Sequence, residues 1–568
     1  AVLGLGAAVG YWLRGRDLDP QRPEWAGEMI LGGGARAFSP RVSPDGQTIA
    51  FVTLVRRLNQ VAVMKPGAGD WIVLSQKDDA GTVGKLDWSR DGTKIFFDRI
   101  TDVPNGIYSI PALGGPERIV LADAQGPETL PDGSLLVVKV DADRTFRINR
   151  FWPDTGKVQP LGPRVTRDSA GLAVRAFPDG REAVFYGKLA EGSDGFRHAY
   201  LLDVASGQAK RFAPDILLNP PLAPSADGRS VLGDLVAGDL HEVIAVSREG
   251  TDVHRLLSLS SKPWYLSEAR DGTLFVGLGE SPVELLRFSP LGGVPERIGA
   301  SARNVFMHPV AFPDGRVLLP NVVSGRRRLL AGRPGEPFRP FLDASEQSSP
   351  PVALVGAETI ALMSGGGPQR PPVLTLATIA DGRVVKRFEE LKGLVPLALA
   401  ASPDGKMLYY VDAGSLFSLD VASGASKKMR AANGIAVDPR TGDLVVQLDE
   451  ANGVKLSRIP AGLGAELPIP IMGDLKLSPA PLSPFAVGPA GRIVVSVGSK
   501  DSSFAGPALL DADTGVMARV PLQFDGDVTT VSWTPDGSLL GLGAELRSEL
   551  WRFKRRQPLT TAPTETAP

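Results

Sequence analysis

The chain has 568 residues, 43% of them hydrophobic and 22% charged, which is ample material for packed cores and excludes wholesale disorder. Its 62 basic and 63 acidic side chains nearly cancel, which argues against the basic stripe of a nucleic-acid binder. Cysteine is absent, so disulfide frameworks, thiolate metal sites and cysteine nucleophiles are excluded.

The sequence begins at Ala1 rather than Met, and we expect a processed or truncated product. Residues 1–13 (AVLGLGAAVGYWL) carry no charge and end at Arg14 and Arg16. As a helix they reach roughly 20 Å, short of the roughly 30 Å hydrocarbon core. Residues 1–16 are therefore read as the distal end of a transmembrane helix, with a signal-peptide remnant as the alternative. Tyr11 and Trp12 favour the helix, because interfacial aromatics belong just before such arginines. Gly4, Gly6 and Gly10 resemble a dinucleotide fingerprint only superficially, since no strand precedes them and no βαβ pattern follows. Residues 17–27 read as a polar, proline-containing linker.

From there a unit repeats: a short apolar strand, a Pro-Asp-Gly turn, and a second apolar strand. It appears as VSPDGQTIAFV at 42–52, WSRDGTKIFF at 88–97, LPDGSLLVV at 130–138 and FPDGREAVFY at 177–186. SADGRSVLG at 225–233, ARDGTLFVG at 269–277, FPDGRVLLP at 312–320, SPDGKMLYYV at 402–411 and TPDGSLLGLG at 534–543 follow the same plan. Degraded copies stand at 355–363, 438–448 and 488–497, giving twelve at a mean spacing of about 45 residues. Proline presets φ, aspartate bonds back to the backbone and glycine accepts positive φ, so the turn suits a tight hairpin. A second hairpin completes each unit; Leu202 to Gly207 (LDVASG) recurs unchanged at Leu419 to Gly424. Four strands in about 45 residues is the size of one propeller blade.

The expected fold is therefore all-β: tandem β-propellers of about twelve four-stranded blades. Rings usually hold four to eight blades, so two six-bladed rings are expected, at 28–300 and 301–556. The last copy lacks an obvious fourth strand. The segment EMILGG (28–33) reads as an outer strand that closes the first ring on copy 6 or crosses to copy 12, closure on copy 6 being favoured. Residues 557–568 have no apolar periodicity and read as a disordered tail.

The Ser-Pro-Asp-Gly blades resemble the TolB-like, WD-repeat-like propeller family over nearly the whole chain. AFSPRVSPDGQTIAFV, QVAVMKPGAGDWIVL and WSRDGTKIFFDRITDVP, after an apolar segment, are similar to one context within it. That context is the C-terminal extracytoplasmic region of bacterial membrane-anchored serine/threonine protein kinases. The resemblance implies a cytoplasmic kinase domain upstream, one membrane helix, and propellers on the extracytoplasmic side of a bacterial cell membrane. Related propellers also follow membrane-bound winged-helix regulators.

Catalytic motifs are missing from these residues. The kinase loop His-Arg-Asp, the Asp-Phe-Gly triplet and the Val-Ala-Ile-Lys strand do not occur. No serine has glycine at both −2 and +2, and the repeats leave no room for a hydrolase domain. His198, His241, His254 and His308 lack zinc spacing, and one carboxylate per turn does not meet calcium's need for six to eight oxygens. No cofactor and no metal are expected. Arg326, Arg327 and Arg328 read as an exposed hairpin loop, and Trp88, Trp152, Trp264 and Trp533 as packing between blades.

What remains is recognition: a non-catalytic sensor module for an unidentified protein, peptide or small molecule, touching a membrane only through its N-terminal segment. An envelope scaffold and a propeller lactonase are the alternatives. Binding is expected on the face opposite the Pro-Asp-Gly turns, at Arg56, Arg57, Asp102, Asp141, Asp143 and Arg144.

Overall fold

The computed structural model describes residues 25–556 except 33–35, 76–81, 101–103, 142–144, 167–171, 193–195, 239, 302–307, 324–325, 344, 366–370, 451–452 and 463. The apolar segment 1–16, most of the linker and the tail 557–568 lie outside the described residues. Among the described residues no helix is long and apolar enough to cross a membrane.

Twelve four-stranded antiparallel sheets account for the described strands, so the chain is an all-β assembly of propeller blades. The recurring turn builds each inner hairpin in the same way. At the first copy Ser43 Oγ donates to Asp45 Oδ1 (2.5 Å), which also accepts from Gln47 N (3.0 Å), and Gly46 takes a φ of 76°. Ser402 and Asp404 repeat the geometry, with 2.6 Å and 3.1 Å for the corresponding bonds. The recurring hexapeptide is likewise one structure used twice. Asp203 Oδ1 accepts from Ser206 N (2.6 Å), and Asp420 Oδ1 accepts from Ser423 N (2.7 Å).

Inner strands Phe38–Val42, Val83–Trp88, Gln125–Thr129, Val174–Ala176, Asn219–Pro224 and Pro263–Glu268 touch in that order, and the last touches the first. Apolar clusters seal each joint; Phe275 and Leu550 meet Ile49 and Phe51 where this circuit closes. A second circuit runs through the blades at Val310–Ala311, Ser348–Val355, Ala398–Ala401, Gly434–Val437, Lys476–Leu477 and Asp527–Trp533. It closes where Leu285, Ile298 and Leu540 pack on Val317 and Leu319. We read these circuits as two six-bladed rings.

The sheets do not follow the 300/301 division. Val283–Ser289 and Gly292–Ser301 complete the blade begun by Asp527–Trp533 and Leu539–Ala544. Arg547–Arg555 returns to pair with Leu274–Glu280, and Trp25–Leu31 lies outermost beside it. The segment around EMILGG thus sits in the blade of copy 6, but its direct partner is the final strand of the chain. The chain crosses between the rings twice. The physical reason is edge closure: each closing blade joins a hairpin to strands from elsewhere in the chain, so neither ring is left with an unpaired middle strand. The arginine run also differs from a loop, because Arg326–Gly332 is a strand paired to Val317–Val323.

Candidate functional site

The inner strands of the first ring surround a cavity of about 950 Å³ that opens between its Pro-Asp-Gly turns. Four of those strands point a charged side chain inward. Arg41, Asp87, Glu128 and Arg175 each stand four residues before the turn aspartates Asp45, Asp91, Asp132 and Asp179. With period-two side chains, an equal offset from an equal turn puts all four at one level of the channel. The fifth and sixth strands place Ala223 and Ser267 at that level.

The four form one electrostatic unit. Arg41 lies 3.8 Å from Asp87 and 3.9 Å from Glu128, and Arg175 Nε donates to Glu128 Oε1 at 3.3 Å. Backbone amides hold the carboxylates: Thr129 N donates to Asp87 Oδ2 (2.7 Å) and Ala176 N to Glu128 Oε1 (2.9 Å). Burial, then the neighbouring Glu128 carboxylate, pushes Asp87 up to about 6, against the pull of Arg41. Burial, then Arg175, brings Arg41 down to about 10. At neutral pH two cations face two anions; below about pH 6 Asp87 takes a proton and the set becomes net positive. Arg41 Nε and Glu128 Oε2 are buried without a hydrogen-bond partner. One is a donor and the other an acceptor, and their ion pairs with Asp87 and Arg175 lack the hydrogen bond that would offset burial in full.

Deeper in the wall, Lys85 Nζ donates to the Leu172 carbonyl (2.6 Å), and burial lowers this lysine to about 8. Burial raises Asp98, which accepts from Gly84 N, Lys85 N and Gly126 N and so ties the second blade to the third. These groups hold the ring together. A cation entering beside Asp87 and Glu128 would meet two guanidinium groups, so the tetrad is a poor metal site.

Of the six residues nominated from sequence, the three that are described, Arg56, Arg57 and Asp141, do not line this cavity. Asp102, Asp143 and Arg144 lie outside the described residues. Asp141 is half-buried and pairs with Arg147 at 2.6 Å. Arg56 and Arg57 form the two-residue turn at the other end of the first blade, with φ of 48° and 70°. Arg57 reaches the second ring: Nη1 donates to the Phe524 carbonyl (3.2 Å) and Asp525 Oδ1 (3.0 Å), and its guanidinium lies over Phe504. The cavity opens on the turn face, whereas the sequence reading looked to the opposite one. The constant four-residue offset of charged residues was the available signal.

The histidines stand apart from the cavity. His241 Nδ1 lies 2.9 Å from the buried Asp234 carboxylate. Trp88 and Trp533 pack with the apolar clusters between blades, as expected, and Trp88 Nε1 also donates to the Arg41 carbonyl (2.9 Å).

No family model matches the chain, and no curated protein matches it. Among solved structures it is similar to one assigned as a TolB of Agrobacterium tumefaciens, at 17% identity over 43% of this chain and 94% of that one, TM-score 0.33. It is similar to the tricorn protease at 12% identity over 90% and 60% of the two chains, TM-score 0.33. A third likeness is to the extracellular domain assigned to a one-component system of B. thetaiotaomicron, at 10% identity over 92% and 82%, TM-score 0.31. At these scores the likenesses carry no argument about the site.

Proposed function

We propose that the chain is a non-catalytic binding module whose ligand enters the first ring from the turn face. The observation that carries this reading is the Arg41–Asp87–Glu128–Arg175 set, buried at the foot of an open cavity, in which Arg41 Nε and Glu128 Oε2 stand in ion pairs but make no hydrogen bond. Four fixed charges in a concave, water-restricted site give orientation and selectivity. Each of the two carboxylates is occupied by an arginine and a backbone amide, which suits recognition better than proton abstraction.

In this reading the module is extracytoplasmic and belongs to a membrane-anchored bacterial serine/threonine kinase, to which it reports ligand occupancy. The apolar segment at 1–13 and the kinase-like resemblance of the first two blades support that assignment. The ligand class on this ground alone is a small molecule or peptide of a size suited to about 950 Å³.

The test is a thermal-shift screen of the purified chain followed by titration of each hit. Asp87→Asn and Arg175→Gln, both close in shape, should each change the affinity of a channel ligand at least about tenfold, or about 1.4 kcal/mol. Unchanged affinity in both variants overturns the channel as the binding site. In the parent polypeptide the same ligand should change kinase autophosphorylation.

A further inference from the structure

The first position of the recurring turn faces the cavity mouth in every blade of the first ring. It is occupied in order by Pro44, Arg90, Pro131, Pro178, Ala226 and Arg270, all of which line the opening. Proline is the residue the turn itself prefers there, because it presets φ. Two blades replace it with arginine, and those blades flank the first one on either side. Arg90 and Arg270 are exposed, and their side chains make no hydrogen bond or ion pair among the described residues. The exposed Lys65 of the blade between them also lines the mouth.

The acidic residues of the same rim are engaged differently. Asp45 accepts from Ser43 Oγ and Gln47 N, Asp271 accepts from Thr273 N (3.0 Å), and Glu268 accepts from Ala226 N (2.9 Å). One oxygen of each is engaged by the protein's own turns, whereas the side chains of Arg90 and Arg270 are not engaged by any described residue. Across the opening the third, fourth and fifth blades present Pro131, Pro178 and Ala226 instead. The mouth is therefore two-faced, with a cationic arc on one side and an apolar arc on the other.

We propose that this mouth takes an amphipathic anion, a ligand with a carboxylate or phosphate head and an apolar tail. Arg90 and Arg270 hold the head, because planar guanidinium groups donate paired hydrogen bonds to such oxyanions. The tail lies against Pro131 and Pro178. Below the mouth, the paired charges of the tetrad bar an apolar group from going deeper. The proposal rests on the reading of the first channel as the binding site and names the ligand class for it.

The experiment titrates the full chain with hexanoate and hexyl phosphate, using hexylamine and hexanol as controls. The anions should bind and the controls should not, and whichever anion binds tighter identifies the head. Arg90→Pro with Arg270→Pro restores the turn that Pro44 already shows, so the variant keeps its fold, checked by an unchanged or raised melting temperature. It should lose anion affinity by at least about tenfold. Arg90→Glu with Arg270→Glu should reverse the preference toward hexylamine. Equal binding of hexanol or hexylamine by the native chain, unchanged anion affinity in the proline pair, or no anion binding at millimolar concentration overturns the proposal. Binding lost with Ala226→Trp, which fills the mouth, but retained in the proline pair leaves the channel reading standing and sinks this one.

Discussion

The two rings use the same turn and the same four-stranded blade, yet their centres are opposite in kind. The first ring is lined by charge and open. The second is filled by its own chain, because the inner strand of its fifth blade is interrupted after Lys476–Leu477 and resumes only near Val487. Ser478 to Phe485 (SPAPLSPF) runs across the middle instead. Gln447 Nε2 donates to the Ala480 carbonyl (3.1 Å), Ser483 Oγ meets Ser532 Oγ (2.6 Å), and Trp533 N donates to the Phe485 carbonyl (2.9 Å). Phe485 packs on the cluster of Phe312 and Phe341 from the opposite side of the ring. The cavity left beside this segment measures about 20 Å³. At the level where the first ring carries Arg41, Asp87, Glu128 and Arg175, the second carries Val310, Ala400 and Ser532. Small and neutral residues leave room for a backbone to pass, whereas paired charges do not. Blade number and turn chemistry thus set the ring, and one register position sets what its centre can do.

The sharpest way to break that contrast is to unbalance the charged centre. Glu128→Ala leaves Arg41 and Arg175 facing each other in a buried site, and we expect a loss of about 3–5 kcal/mol in denaturant unfolding. The matching excision in the filled centre, Gln447→Ala, removes one hydrogen bond to the Ala480 carbonyl and one to the Asp449 carboxylate without stranding like charges, and should cost only about 1–3 kcal/mol. A smaller loss for Glu128→Ala than for Gln447→Ala would show that the tetrad is not the coupled unit its geometry describes.

A second difference is response to acid. Burial lowers His308, which hydrogen-bonds the Pro481 carbonyl of the filling segment, to about 4. An unfolded chain binds that proton near pH 6.5, so the unfolded state gains protons first as pH falls. Stability tied to His308 is present above about pH 6.5 and is lost down to about pH 4, by up to about 3 kcal/mol. Asp87 runs the other way, since its raised value favours the folded state on acidification. Hydrogen exchange across this pH range should therefore show the second ring loosening while the first holds. His308→Phe should flatten the dependence, and an unchanged slope in that variant would remove His308 as its source.

Much of the blade architecture is legible in the sequence. The turns at Asp45, Asp91 and Asp404 announced the hairpins, and their spacing announced the blades, because φ preferences of proline and glycine act locally. Ring closure was not legible: pairing of Trp25–Leu31 with Arg547–Arg555 joins residues more than five hundred positions apart, and no local pattern marks such a partner. The tetrad was partly legible, as charged residues at a fixed offset on otherwise buried strands. It was missed because Arg41 and Asp87 look like ordinary strand polar residues until the ring brings four blades to one axis. The residues nominated instead are charged residues of loops, and a charge in a loop carries little information by itself.

Arg57 gives the smallest and most local test. The sequence nominates it for ligand binding, and in the structure it contacts the second ring from a two-residue turn whose positive φ values suit Asn-Gly rather than Arg-Arg. Holding a non-glycine residue there costs about 1 kcal/mol, and the contacts to Phe524, Asp525 and Phe504 offset it. Arg57→Gly relieves the strain and removes the contacts together, so global stability should change by less than about 1 kcal/mol. The contact between the rings should still loosen. Ser503 N donates to the Arg57 carbonyl at 2.7 Å, and Asn59 N donates to Ser503 Oγ at 2.8 Å. Faster amide exchange at Ser503 and Asn59, with unchanged exchange in the blade cores, is the expected result. Uniformly faster exchange would mean that the turn stabilises the first ring itself, and unaltered exchange at both amides would mean that the two crossing strands alone fix the rings together.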